Sequence, residues 1–316
     1  MRSSSSASGR VRGVLIALAG TAAWATTAII MRTLMQGLSI APLTLAVWRD
    51  VTVVAVLWLV LRVAAPSVLR IQRADLPFLL LHGGISLAAM NALWALSLGH
   101  NGATLSTVLI YIAPGLSALG GWAFLREPIT RWNMAAVLLG LIGVVLIVGR
   151  SSQGYPLTPA GVAIGLASAV GFAAFSLTGR MSARRFANTW TGLFYAFVFA
   201  TLSLVVLYLV LRPPAVTLDG RLVLGLLVLA APTLLGYGLI SAALRYLPAS
   251  VATLIASLEP ALTAVMAVTL LGEQLAPVQW VGSALIVAGV LLVQRSPEPA
   301  VEVGGKPSIA PPEAPA

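Results

Sequence analysis

Apolar runs with few or no charges follow one another along most of the chain, each closed by arginine, proline or glycine. Many of them, residues 103–125 for example, are long enough to cross a hydrocarbon core of roughly 30 Å as a helix. The pattern predicts helices over residues 13–34, 41–62, 77–98, 102–125, 133–149, 158–179, 190–211, 222–244, 249–271 and 277–294. The fold class this implies is an all-α membrane protein with ten transmembrane helices. Residues 1–12 read as a cytoplasmic N-terminal segment. Residues 296–316, rich in Ser, Pro, Glu, Ala and Gly, read as a disordered cytoplasmic tail with no means of burying a core.

Only 9% of residues are charged and 59% are hydrophobic, whereas a soluble domain carries about a quarter charged residues. Most of the chain's solvent is therefore lipid. There is no cysteine, which excludes disulfides and thiolate metal sites, and two histidines, His82 and His100, are too few for a histidine-rich centre. No metal and no cofactor are expected. The net charge of +10 could suit nucleic acid, but the arginines sit in short loops and not along one polar face. The lipid bilayer, with its anionic headgroups, is the expected partner and nucleic acid is not. Arg2, Arg10 and Arg12 precede the first apolar run as they would in a signal peptide. That run, residues 13–30, exceeds a usual signal-peptide core and no A-x-A site follows, so it is read as a retained first span.

Lysine and arginine set the orientation. With the N-terminus inside, the inner segments hold fourteen of them and the outer segments only Arg32, Arg150, Arg212 and Arg221, while Arg49 lies within a helix. Both termini are expected in the cytoplasm of a cell whose inner membrane holds the protein. The halves also match each other. A shift of 146 residues lays Pro114, Glu127 and Gly143 onto Pro260, Glu273 and Gly289; a shift of 148 lays Gly13, Trp24 and Arg32 onto Gly161, Phe172 and Arg180. Two repeats result, residues 13–150 and 158–295. Five spans per repeat is odd, so the second copy must enter the membrane inverted, which is the architecture of secondary transporters.

Two segments carry a family resemblance: GATLSTVLIYIAPGLSALGGWAFLREPI, which contains Glu127, and PASVATLIASLEPALTAVMAVTLLGEQLAPVQWVG, which contains Glu259-Pro260 and Gly272-Glu273. They resemble the EamA family of the drug/metabolite transporter superfamily. GGISLAAMNALWALSL is similar to that family's third helix, and Pro42 with Arg49 to its second. The resemblance spans residues 10–295 and implies an exporter or importer of amino acids, drugs or metabolites. One departure is Ala113, which stands where the second repeat has Glu259.

Candidate site residues are the polar and aromatic groups within spans. Glu259 lies about 15 Å deep at 1.5 Å per residue, where a bare carboxylate is costly unless it is protonated or meets a cation such as Arg49 or a substrate amine. Its other reading is a hydrogen-bonded acid beside the Pro260 break. Arg49 either anchors a substrate carboxylate or pairs with another helix; Asp50, its sequence neighbour, points elsewhere on an ideal helix and is not expected to be its partner. His82, Asn91 and Trp94 on the third span, with Trp24, Tyr111, Phe172 and Tyr237, could line an aromatic cavity or simply pack. Pro114 and Pro260 should kink their helices, as static bends or as breaks beside the cavity. Glu127 and Glu273 are expected as N-terminal caps of the helices that follow them, and Arg32 is expected to snorkel. Gly140, Gly143, Gly161, Gly165, Gly282 and Gly289 should permit close helix packing.

The function these readings favour is secondary transport, by export, of a small amphipathic metabolite such as an amino acid, through alternating access and driven by its own gradient or by protons. No catalytic residue is assigned. A multidrug or cation efflux carrier is the near alternative; an integral membrane enzyme or a channel is the distant one, the enzyme lacking paired carboxylates or an HExxH. No G-x-x-x-x-G-K-[ST] loop is present, which disfavours an ATP-driven pump.

Overall fold

The computed structural model describes residues 2–148, 158–214, 216–271 and 276–293. The linker at 149–157, Gly272, Glu273 and the 296–316 tail lie outside these, and so does the side chain of Arg32. Among the described residues the regular elements are all helical: α1 Arg2–Leu38, α2 Pro42–Ala64, α3 Leu76–Leu79, a π-helical stretch Leu80–Leu87, α4 Ala88–Ile110, α5 Ala113–Leu125, α6 Arg131–Val148, α7 Pro159–Arg185, α8 Thr189–Leu211, α9 Gly220–Ala243, α10 Ala249–Ala256, α11 Glu259–Leu271 and α12 Pro277–Val293, with two short 3-10 turns between α2 and α3. Among the described residues six stretches are long and apolar enough to cross a membrane, and three shorter apolar helices accompany them.

Local chemistry sets the ends. Pro42 and Pro159 open their helices, where a missing N–H costs nothing. Thr158 accepts from Gly161 N–H at 3.1 Å and Asp219 from Leu222 N–H at 2.8 Å, capping α7 and α9.

α1 begins before the first apolar run and passes through residues 2–12. Two expectations are corrected. Glu127 does not cap the following helix: Thr130 does, accepting from Asn133 N–H at 3.1 Å. The boundary expected at 98–102 is also absent, because α4 continues to Ile110. The corresponding turn in the second repeat contains Pro248, which has no N–H with which to continue α9; the first repeat has no proline there, and its helical hydrogen bonds carry on.

The two halves interleave. α1 lies along α9, α4 along α7, and α6 along α12. Small residues allow this closeness: a methyl added at Gly143 would stand 2.5 Å from the Gly282 carbonyl oxygen, and one at Gly289 would stand 2.8 Å from that of Ala136. These are one contact seen from each repeat, since both pairs are related by the 146-residue shift. Outward positions carry large apolar groups such as Phe124, Leu209, Val210 and Leu224, as a lipid-facing surface requires.

Candidate functional site

The site forms where two helices are interrupted. Tyr111-Ile112 separates α4 from α5 and Ser257-Leu258 separates α10 from α11. Pro114 and Pro260 each take the second position of the new helix, so the expected kinks coincide with two-residue interruptions at repeat-equivalent positions. Tight turns re-satisfy part of the backbone: Ile112 N–H donates to Leu109 O at 3.3 Å and Leu258 N–H to Ile255 O at 3.0 Å.

Beside these breaks a polar chain crosses the repeats. Tyr237 O–H donates to Asn91 Oδ1 at 3.2 Å, and Asn91 Nδ2 donates to Asp50 Oδ2 at 3.0 Å. Arg49 Nε donates to Asp50 Oδ1 at 2.8 Å. The neighbours Arg49 and Asp50 are thus partners, contrary to the expectation from helix geometry, because the long arginine stem folds back across the roughly 100° between them. Their side chains are only 6% and 0% exposed, so the pair neutralises two charges that are shielded from solvent. Among the described residues Glu259 has no such counter-ion: Tyr111 O–H donates to its Oε2 at 2.7 Å, and Arg49 is engaged elsewhere. Its place in the first turn of α11 offers the positive end of that helix.

Aromatic rings close around this chain. Trp24 meets Tyr237 and Phe172 edge-on at 4.9 and 6.1 Å between centroids, and Phe172 meets Tyr111 at 6.5 Å. Phe197 and Phe175 back Tyr237 at 5.0 and 5.8 Å. Trp24 Nε1 is buried with no acceptor among the described residues. Trp24, Arg49, Asn91, Tyr111, Phe172, Tyr237 and Glu259 therefore come together. His82 stands one ring further out, stacked on Phe175 at 5.1 Å with its Nδ1 2.8 Å from Thr178 Oγ1. Trp94 does not reach the polar chain; half-buried, it packs between the central core and a second apolar cluster around Leu226.

Sequence reasoning weighed Asp50 but left it out of the site, and it missed Phe175 and Phe197. Phe175 had a legible signal, lying one turn from Phe172 on the same face of α7. A second signal lay in the duplication: Asn91 and Tyr237 are 146 residues apart, and Trp24 and Phe172 differ by the 148-residue shift. Residues that touch their own repeat mates lie on the axis relating the repeats.

At the end of the bundle where α7 finishes, Glu127 and Arg180 face each other, Oε1 to Nε at 3.7 Å. Arg180 also donates to the Leu244 carbonyl. Burial pushes the Glu127 carboxyl above its ordinary range, while Arg180 and then Arg184 pull it down.

Interleaved helical halves, apolar outside and polar at paired helix breaks, define a membrane transporter of duplicated architecture. The sequence pattern of the EamA-like transporter family matches twice, over residues 11–149 and 159–295, and the chain belongs to that family. A "Probable amino-acid metabolite efflux pump" of Salmonella typhimurium is 30% identical over 73% of this chain and 82% of its own length. A "Probable terminal-alkyne amino-acid exporter" of Streptantibioticus cattleyicolor is 30% identical over 86% of this chain and 90% of its own length. A solved crystal structure superposes with a TM-score of 0.76 at 21% identity, covering 89% of this chain and 96% of that one, and shares its fold.

Proposed function

We propose that the chain is a secondary transporter that exports a small amphipathic metabolite such as an amino acid, by alternating access around the cluster of Trp24, Phe172, Tyr237, Tyr111 and Glu259. The observation that carries this is a carboxylate with no counter-ion among the described residues, built into an aromatic box to which both repeats contribute. Glu259 and the ring faces suit an ammonium group, and the rings suit an apolar body. Arg49 is already neutralised by Asp50, so little remains for a phosphate, which calls for several free cations. The names of the two relatives point the same way. In this reading the chain spans a cell membrane ten times, with both termini cytoplasmic and the repeats inverted, so that each half can gate the site in turn. Glu259 carries a proton when no amine is present.

The same carboxylate in its aromatic box also fits a lipophilic cation, so cation efflux is the second reading. Counterflow into proteoliposomes separates them. Labelled aromatic and aliphatic amino acids should exchange saturably and compete with one another. Exchange of a lipophilic cation alone would favour the second reading, and competition by sugar phosphates without amino acids would overturn both.

A further inference from the structure

Outside the bundle, where α8 begins and α9 finishes, an open groove of about 510 Å3 lies between the two helices. Its lining is divided. Leu235, Leu239 and Ala242, successive turns of α9, face Trp190 across an apolar floor, while Asn188 and Arg245 form a polar rim at the helix ends. Leu235 is 53% exposed and Trp190 36%, so the groove opens away from the transport cluster and towards the surrounding lipid.

Arg245 is held in a fixed orientation by neutral oxygens. Its Nε donates to Thr189 Oγ1 at 2.8 Å, and its Nη2 to the carbonyl oxygens of Phe186 and Ala187 at 2.7 and 2.8 Å. Among the described residues no carboxylate pairs with it and Nη1 has no acceptor. The neighbouring charges do not neutralise it either. Arg12, 5.4 Å from the Tyr246 ring, and the exposed Arg184 are themselves cations, and Asp75 is taken by Arg185 at 2.7 Å.

The geometry points to a binding site for one anionic phospholipid, its phosphate on Arg245 Nη1 and the Asn188 amide, its acyl chain along Leu239 and Leu235 beneath Trp190. A preset guanidinium with a free donor suits a phosphate oxygen. Tryptophan and arginine together mark headgroup depth, and from Ala242 to Leu235 the floor descends about 10 Å into the apolar layer at 1.5 Å per residue. A zwitterionic headgroup would leave the local positive charge uncompensated, which selects an anionic lipid. The site needs only that the chain sits in a bilayer and does not depend on what it transports.

The test uses full-length protein stripped of lipid in detergent. Phosphatidylglycerol, phosphatidylcholine and free glycerophosphate are titrated in turn, with binding read by native mass spectrometry and stability by thermal unfolding. One phosphatidylglycerol should be retained in preference to phosphatidylcholine and should raise the Tm. Arg245→Ala and the groove-filling Ala242→Trp should each weaken retention about tenfold, the scale of one charge-assisted hydrogen bond. Arg245 also ties down the segment 186–189, so Ala242→Trp, which leaves those bonds intact, decides the matter if Arg245→Ala fails to fold. Equal retention of the two lipids, equal stabilisation by glycerophosphate, displacement by an amino acid, or full retention in Ala242→Trp would overturn the site.

Discussion

At the residue scale the contrast is between two carboxylates, one paired with a cation and one held by a phenol. Asp50 accepts from Arg49 and Asn91, whereas among the described residues Glu259 accepts only from Tyr111. Glu259→Gln removes the charge but keeps the shape, so the variant should fold and reach the membrane. Its apparent affinity for an amine-bearing substrate should fall by about tenfold or more, from a lost charge-assisted bond of about 1.5–3 kcal/mol. The pH dependence of transport should also flatten. An unchanged rate, pH profile and selectivity in proteoliposomes would return Glu259 to a structural role beside Pro260. Arg49 and Asp50 should behave differently. Asp50→Asn strands a buried guanidinium and should cost about 3–5 kcal/mol of stability, whereas joint replacement by Met and Leu should recover most of that loss. If the pair is only structural, the double variant transports normally. If Arg49 meets substrate, the double variant folds but its KM rises, and thermal unfolding together with counterflow distinguishes these outcomes.

At the element scale, the close helix approaches are where the sequence leaves least freedom. Gly143 and Gly289 bring α6 and α12 within backbone contact, whereas a methyl at Gly220 meets nothing within 4 Å. Gly143→Ala should therefore destabilise the protein by about 1–3 kcal/mol, the usual cost of overpacking, and Gly220→Ala should leave it nearly unchanged. A thermal midpoint in detergent that fell equally for both would contradict the packing described here. Most element boundaries were legible because proline, capping residues and charges mark them. The end of the third helix was not legible: the pattern closes one helix at residue 98 and opens the next at 102, yet α4 continues across Gly99, Asn101 and Gly102. Glycine and asparagine weaken a helix by less than neighbouring helices can repay, and here α7 runs alongside.

At the scale of the whole molecule, orientation is the first thing to check, and the absence of cysteine makes it simple. A cysteine at the exposed Ser67 should label only from the cytoplasmic side, and one at the exposed Leu218 only from outside. Labelling of both from one face would refute the inverted arrangement. The sequence by itself determined the helical class, the lipid surroundings, the duplication and the family, because each follows from local composition or from a repeat of fixed spacing. It also supplied most members of the central cluster, since polar and aromatic groups inside apolar runs stand out. Partnership was decided only by the tertiary structure. Whether Arg49 meets Asp50 or Glu259, whether Glu127 caps a helix or faces Arg180, and whether Trp94 joins Asn91 all depend on which helices lie together. Periodicity fixes the face of a helix a residue occupies, but hydrogen bonds and ion pairs act over about 3 Å, a distance set only once the helices have packed.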